Sequence, residues 1–314
     1  MIAIVDHSRD MHVRVVKDHL EKKGARVFVC DPHELGAGAD LSFWPQAPER
    51  TEWRRRDGTV MRMGDVRAVW FRPKVSPGIP IDVTDLKDRQ FIEGEWSALI
   101  RSAFLAFGVP QINPFRAMVE ATKLYQLRLA RVVGLAVPET LITSSARRAR
   151  VFVAGPGDVV HKVMAAPDDR LLATKQWEAA DADSWHALEL CPSIFQRRID
   201  GTRELRITAV GERLFAAEFS PAFVDGRLDA AAPHVAHELP LSVARRLLSL
   251  LERLSLAYAA IDMRIDARGE YQFLEANPAG QFLWIEIATG MPISAAVADL
   301  LYAMSRGRVP QPCG

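Results

Sequence analysis

Apolar and polar positions follow two rhythms along this chain, and each change of rhythm marks an element. MIAIVD opens as a short apolar strand. MHVRVVKDHLEKKG then carries apolar residues at helical spacing and stops at Gly24, and ARVFVCD is a second strand. Strand, helix and strand in that order imply a parallel sheet. Residues 42–60 are polar, Arg-rich and irregular, which predicts a loop or hairpin. VRAVWFRP is the next strand, ended by Pro73. The spacing predicts a long helix over 88–107, then a short strand and turn in VPQINP, with a first boundary near 115.

Beyond it, RAMVEATKLYQLRLARVVG reads as one helix with Gly134 as its C-cap. VPETLITSS, DVVHKVM and SIFQRRID are strand-like, and AAPDDRLLATKQW is a hairpin or flexible loop. ELRITAVGERLFAAEF folds on itself at Gly211 and Glu212. LSVARRLLSLLERLSLAYAA keeps helical spacing throughout. AIDMRIDARGEYQFLEANP is a hairpin through Ala267, Arg268 and Gly269, and SAAVADLLYAM closes the chain as a helix. The expected fold is therefore α/β in front and α+β behind.

Composition narrows the function classes. Of 314 residues 49% are hydrophobic and 25% charged, with net charge +1, so a bulk nucleic-acid binder is not expected. No apolar run approaches the roughly 20 residues of a membrane span, and no signal peptide is visible, which points to the cytoplasm. Cys30, Cys191 and Cys313 are too few and too scattered for a disulfide frame or a zinc site. His7, His161, His234 and His237 have no ligand spacing with them. Only eight of the 40 basic residues are lysine, and none follows Lys175. A lysine in an unusual place is thus worth following.

The chemistry concentrates in the last hairpin. Glu275 and Asn277 stand two apart in an apolar run, so a strand points them to one face. Asp262 precedes the turn and folds opposite that region. A buried carboxylate is costly unless it is paired or binds a cation, and three converging oxygen donors suit magnesium. An edge position for Asp262 or a turn-capping role for Asn277 explains either alone, and the three together less well. Phosphates held through magnesium need further cations. Lys162 sits mid-strand in VVHKVM, Lys123 early in a helix, Arg206 in ELRITAV and Arg264 two residues past Asp262. Taken singly, each is an ordinary snorkelling or ion-paired residue. Neither GxxxxGK[ST] nor GxGxxG occurs, so a nucleotide site must come from strands, lysines and metal.

Four stretches resemble the ATP-grasp superfamily, and within it the microviridin or graspetide maturases that cyclise ribosomal peptides. They are TKLYQLRLARVVGLAVPETLIT, VVHKVM, FQRRIDGTRELRITAVGERLFAAEF and IDMRIDARGEYQFLEANPAGQFLWIEIATGMPISAAVADLL. Together they span roughly 110 to 305, and FLE-NP-GQF before ATG-x-PI is the most specific. The resemblance implies an ATP-grasp fold with an N-terminal Rossmann-like pre-ATP-grasp domain over 1–115. It also implies a central subdomain over 116–198 and a C-terminal subdomain with the metal site over 199–314.

It further implies that Lys123 and Lys162 grip the nucleotide, that Gln196, Arg197, Arg198 and Ile199 form the adenine hinge, and that Glu204 meets the ribose. Arg206, with Arg264 nearby, would stabilise the transferring phosphate. Asp262, Glu275 and Asn277 would hold two magnesium ions, Glu275 bridging them. The chain departs from the maturases in three places. Its loop 165–172 has no glycine, VDGR (Asp225 to Arg227) lacks their tryptophan, and VWFRPK has one arginine, Arg72, where two are common.

The implied activity is an ATP-dependent ligase that turns Asp or Glu side chains of a precursor peptide into acyl phosphates and closes macrolactone or macrolactam rings. Its partner would be a leader peptide with an acidic core, drawn by Arg72 and the runs WRRR (53–56) and ARRAR (146–150). A solvated face explains those runs equally simply. Homodimers are common among such maturases. A ligase for free amino acids, or a non-catalytic ATP-binding regulator, are the alternative expectations.

Overall fold

The computed structural model describes residues 1–72, 77–106, 108–164, 174–178, 185–201, 203–220 and 233–308. Strand β1 (Ile2–Val5), helix α1 (Met11–Lys22) and strand β2 (Val27–Cys30) follow the expected order. Asp10 caps α1 by accepting from His12 N at 2.8 Å and Val13 N at 3.3 Å. The helix then buries Val13, Val16 and Leu20 at helical spacing.

Of the loop or hairpin expected for the Arg-rich stretch, the hairpin is found: β4 (Glu52–Arg54) and β5 (Val60–Arg62) pair antiparallel, and β3 (Asp40–Ser42) adds a third strand. The sheet is anchored by buried Trp53 and Met61. β6 (Ala68–Phe71), α2 (Leu86–Ala106) and β7 (Gln111–Ile112) complete a parallel sheet of order β2-β1-β6-β7.

The predicted long helix after 115 is two helices, α3 (Phe115–Glu120) and α4 (Lys123–Val132). Thr122 between them is extended, with ψ of 152°, so Lys123 begins a new helix. β8 (Thr140–Thr143), α5 (Ala146–Val153), β9 (Val159–Lys162), β10 (Lys175–Gln176), α6 (Ala187–Leu190) and β11 (Ser193–Arg197) follow. Their strands form an antiparallel sheet of order β10-β9-β11-β8. The ARRAR run lies in α5, where Ala149 is buried and Arg150 covers the Trp185 ring.

The last sheet, of order β14-β13-β12-β15-β16, contains β12 (Arg203–Val210), β13 (Arg213–Phe219), β14 (Val235–Ala236), β15 (Tyr258–Ile265) and β16 (Tyr271–Asn277). Helix α7 (Leu241–Arg253) covers one face, burying Leu247 and Leu250 against Leu205, Ile207, Ile261 and Phe273. The predicted helix ran to Ala260. The chain instead leaves it after Leu254 through Ser255, whose φ is 54°, and Tyr258–Ala260 become strand.

α8 (Leu283–Thr289) and α9 (Ile293–Ser305) end the described chain. α9 returns to the first sheet, where Val297 and Leu301 pack with Ile4, Trp70, Val16 and Leu20. The N-terminal sheet therefore buries one face under the C-terminal helix. No helix among the described residues is long and apolar enough to cross a membrane.

Candidate active site

Register places the charged residues. Arg206 in β12 lies opposite Asp262 in β15, and Asp262 lies opposite Glu275 in β16. Opposed residues of an antiparallel ladder share a face, so the three form one row across the sheet. Their neighbours Leu205, Ile207, Ile261 and Met263 point the other way, into the core under α7. A second row, Glu204 to Arg264 to Gln272, runs beside the first.

One irregularity makes this row possible. Phe273 pairs with Met263 in the core, and strict alternation would turn Glu275 to the core as well. The ladder slips between Asp262 and Met263, leaving Leu274 as an extra residue in β16. This β-bulge turns Glu275 over to the Asp262 face and returns Ala276 to the core.

Opposite charges adjoin along the row. Arg206 Nη1 donates to Asp262 Oδ1 at 2.7 Å, and Lys123 Nζ, at the start of α4, lies 3.5 Å from Glu275 Oε2. The Asp262 and Glu275 side chains are 30% and 34% exposed, open to a ligand, whereas the Arg206 side chain is only 13% exposed. Burial acts to lower the Arg206 pKa, but the Asp262 carboxylate more than offsets it, and the guanidinium stays charged above its ordinary range. Asn277 shares the Glu275 face and caps the next turn, its Oδ1 accepting from Ala279 N at 2.9 Å. Two carboxylates, an amide oxygen and flanking cations fit magnesium with a phosphate chain.

The backbone that carries these groups is held by side chains. β16 is an edge strand, so its outer N–H and C=O groups need partners. Gln126 supplies both at Ala276, accepting from N and donating to O, each at 2.8 Å. Asn113 donates to Pro278 O at 2.9 Å and to Tyr258 O at 2.8 Å. Tyr258 donates to Gly280 O at 2.6 Å, and burial pushes its phenol up to about 12, so it remains a donor. Arg206 Nη2 donates to Gln281 O at 3.2 Å. These clamps carry no sequence signal, because each joins residues far apart in the chain.

The other expected residues are placed as follows. Lys162 Nζ donates to Gln196 Oε1 at 2.9 Å, and Gln196 Nε2 to Thr140 Oγ1 at 2.9 Å. Arg197 turns away to the carbonyls of Phe152, Gly155 and Gly157, and Arg198 pairs with Asp158 at 2.7 Å. With Ile199 these arginines line a cleft of about 280 Å³ whose far wall is Asp266, Ala267 and Arg268. The cleft lies between residues 197–200 and the hairpin turn, and Lys162 is not among its lining residues. Glu204 and Arg264 form an ion pair with each other.

Arg72 is not presented at the strand end as an exposed peptide contact. It is 6% exposed, its Nε donates to Asp6 Oδ2 at 2.6 Å, and its Nη2 lies 3.9 Å from Asp10. Asp225, Arg227 and the loop 165–172 lie outside the described residues. A cluster the sequence did not signal joins His7 and His33 to Asp31, at 3.1 and 3.2 Å. It lies at the ends of β1 and β2, where Asp31 also accepts from Ser8 N and His33 N.

No family model matches the sequence, and no curated protein matches it. Solved structures do. The chain is similar to the macrocyclase MdnC of Microcystis aeruginosa MRC, solved with the precursor peptide MdnA, with 28% identity. The match covers 96% of this chain and 98% of that one at a TM-score of 0.87. A RiPP-associated ATP-grasp ligase of Chryseobacterium gregarium, solved with ADP and a leader and core peptide, matches at 25% identity. There the coverage is 100% and 98%, and the TM-score 0.87. The ATP-grasp ligase PsnB, solved with a precursor variant, magnesium and ADP, matches at 25% identity, covering 97% and 98% at a TM-score of 0.81.

Proposed function

We propose that this ATP-grasp chain is an ATP-dependent ligase that activates Asp or Glu side chains of a ribosomal precursor peptide and closes macrolactone or macrolactam crosslinks. The observation that carries this is the row of Arg206, Asp262 and Glu275 with Lys123 beside it, on a fold matched along its whole length by such ligases.

A carboxylate is a poor acyl donor because its leaving group would be oxide. Transfer of the γ-phosphoryl group of ATP to one carboxylate oxygen gives an acyl phosphate and ADP. A hydroxyl or amine of the same peptide then attacks the acyl carbon, loses its proton and expels phosphate. Such a sequence needs positioning and charge neutralisation, not a protein nucleophile. Asp262, Glu275 and Asn277 would hold magnesium, which would supply charge neutralisation at the phosphates. Arg206, fixed by Asp262 and by Gln281 O, offsets the charge on the tetrahedral intermediate. Lys123 and Lys162 hold phosphates, Gln196 to Ile199 form the adenine edge, and Glu204 and Arg264 face ribose and phosphate once their mutual pair opens.

The peptide is proposed to present a leader and an acidic core, attracted by arginines outside the central row. Asp225 and Arg227 are proposed as further peptide contacts. Of the WRRR run, Arg54 pairs with Asp40 and Arg55 with Val29 O, which leaves Arg56 as the candidate there. A homodimer is part of the proposal, supported by exposed Leu86, Phe91 and Leu105 on α2. A cytoplasmic location, with ATP at hand, completes it.

The test is mass spectrometry of candidate acidic precursor peptides after incubation with ATP, magnesium and the chain. The expected product has lost one water per crosslink, and an unchanged peptide mass overturns the proposal. Transfer of a free amino acid would point to the amino-acid ligase, and nucleotide binding without turnover to a regulator.

A further inference from the structure

His12 reaches the catalytic half of the molecule from the first turn of α1. Its Nε2 lies 3.2 Å from Phe282 N and 3.3 Å from Leu283 N. Both are N–H donors, so Nε2 must be the bare nitrogen and the ring proton must sit on Nδ1. Nδ1 lies 3.1 Å from Asp10 Oδ1, which accepts that proton's hydrogen bond. Burial acts to raise the Asp10 pKa, but the His12 hydrogen bond and the Arg72 charge outweigh it and keep the carboxyl ionised. Arg72 is itself fixed by Asp6 at the end of β1. The chain Asp6, Arg72, Asp10, His12 thus sets one tautomer and aims one acceptor.

Phe282, the cap residue of α8, makes no side-chain cap of its own, and its fully buried ring packs edge-on to His12 at 4.8 Å. One residue upstream, Gln281 O receives Arg206 Nη2. His12 therefore holds the two residues that follow the carbonyl on which Arg206 rests. We propose that His12 is a positioning residue for the ligase reaction, seating the 281–283 backbone so that Arg206 is aimed at the reacting group. This rests on the role of Arg206 proposed above.

His12→Ala should lower kcat about 10- to 100-fold while leaving the KM for ATP within about twofold, because misaimed charge costs rate and not ground-state binding. His12→Gln carries an oxygen that can stand where Nε2 stands, and should restore kcat to within about threefold of wild type. Hydrogen exchange at Phe282 and Leu283 N–H should quicken in the alanine variant and recover in the glutamine variant. Asp10→Ala, which removes the acceptor of the Nδ1 proton, serves if the His12 variant fails to fold, with a smaller loss of kcat expected.

An unchanged kcat in His12→Ala, or a glutamine variant as slow as the alanine one, overturns the inference. So does quickened exchange with normal kcat. If the wild-type chain makes no peptide product, the proposed function falls instead. His12 is then read from basal ATP hydrolysis, where the same loss and rescue are expected and their absence counts against it.

Discussion

Lys123 Nζ lies 3.5 Å from Glu275 Oε2, pairing the cation proposed for a phosphate with a carboxylate proposed for a metal. Arg206 and Asp262 repeat the arrangement on the adjoining strands β12 and β15. Each charge in this partly covered site thus has a counter-charge, which limits the cost of removing it from water. On the proposed roles, magnesium and nucleotide arriving together would exchange these partners without stranding a charge, whereas either alone would strand one. Four outcomes follow from this geometry and its supports.

Glu275→Gln keeps the side-chain shape and removes the negative ligand. Peptide turnover should fall at least about 100-fold with an unchanged far-UV circular dichroism spectrum. Near-normal turnover would take Glu275 out of the site.

Gln126→Ala strands the N–H and C=O of Ala276 at the sheet edge. A loss of about 1–3 kcal/mol is expected in urea denaturation. An unaltered midpoint would mean that water or a shifted strand serves those groups as well.

Gly280→Ala places a Cβ 2.3 Å from Ala260 Cβ and 3.0 Å from Arg206 Nη2. The first contact is rigid, so the turn must move and Arg206 with it. A stability loss of about 1–3 kcal/mol is expected by thermal denaturation, together with reduced turnover. Wild-type rates in this variant would separate Arg206 from the turn.

Glu218 accepts from Arg203 Nε at 2.6 Å and Nη2 at 2.7 Å, and lies 2.8 Å from His237 Nδ1. The Arg203 hydrogen bond outweighs burial and, with His237, holds the carboxyl below its usual range. A depressed folded-state pKa stabilises fully above the unfolded value, about 4.3, and that stability is lost as pH falls through the folded value. Glu218→Gln should therefore flatten the acid limb of stability against pH and leave the slope above about pH 6 alone. Denaturation midpoints across that range check it, and parallel acid limbs in the two proteins would dismiss the linkage.

The sequence revealed the last hairpin because alternation and a Gly-containing turn are local signals, and Asp262 opposite Glu275 followed from them. The Leu274 bulge was hidden, since an extra residue in a strand leaves no mark on composition. The break at Thr122 was hidden because apolar spacing runs on across it, and the start of β15 because LAYAA suits a helix as well as a strand. Helix α5 was masked by arginines that its exposed face tolerates. His12, Asn113 and Gln126 were invisible for a different reason. The partners they hold in the C-terminal part of the chain lie 144 to 271 positions away, so nothing nearby in sequence predicts those hydrogen bonds.

That remoteness limits how this molecule can be recombined with its relatives. A chimera spliced near residue 115 would separate the C-terminal half from His12 and Asn113, and the returning α9 from the sheet it covers. Grafted onto a foreign front half, the last hairpin would arrive without its moorings. An engineer exchanging substrate preference should transplant those two residues and the α1 surface as one unit with the hairpin.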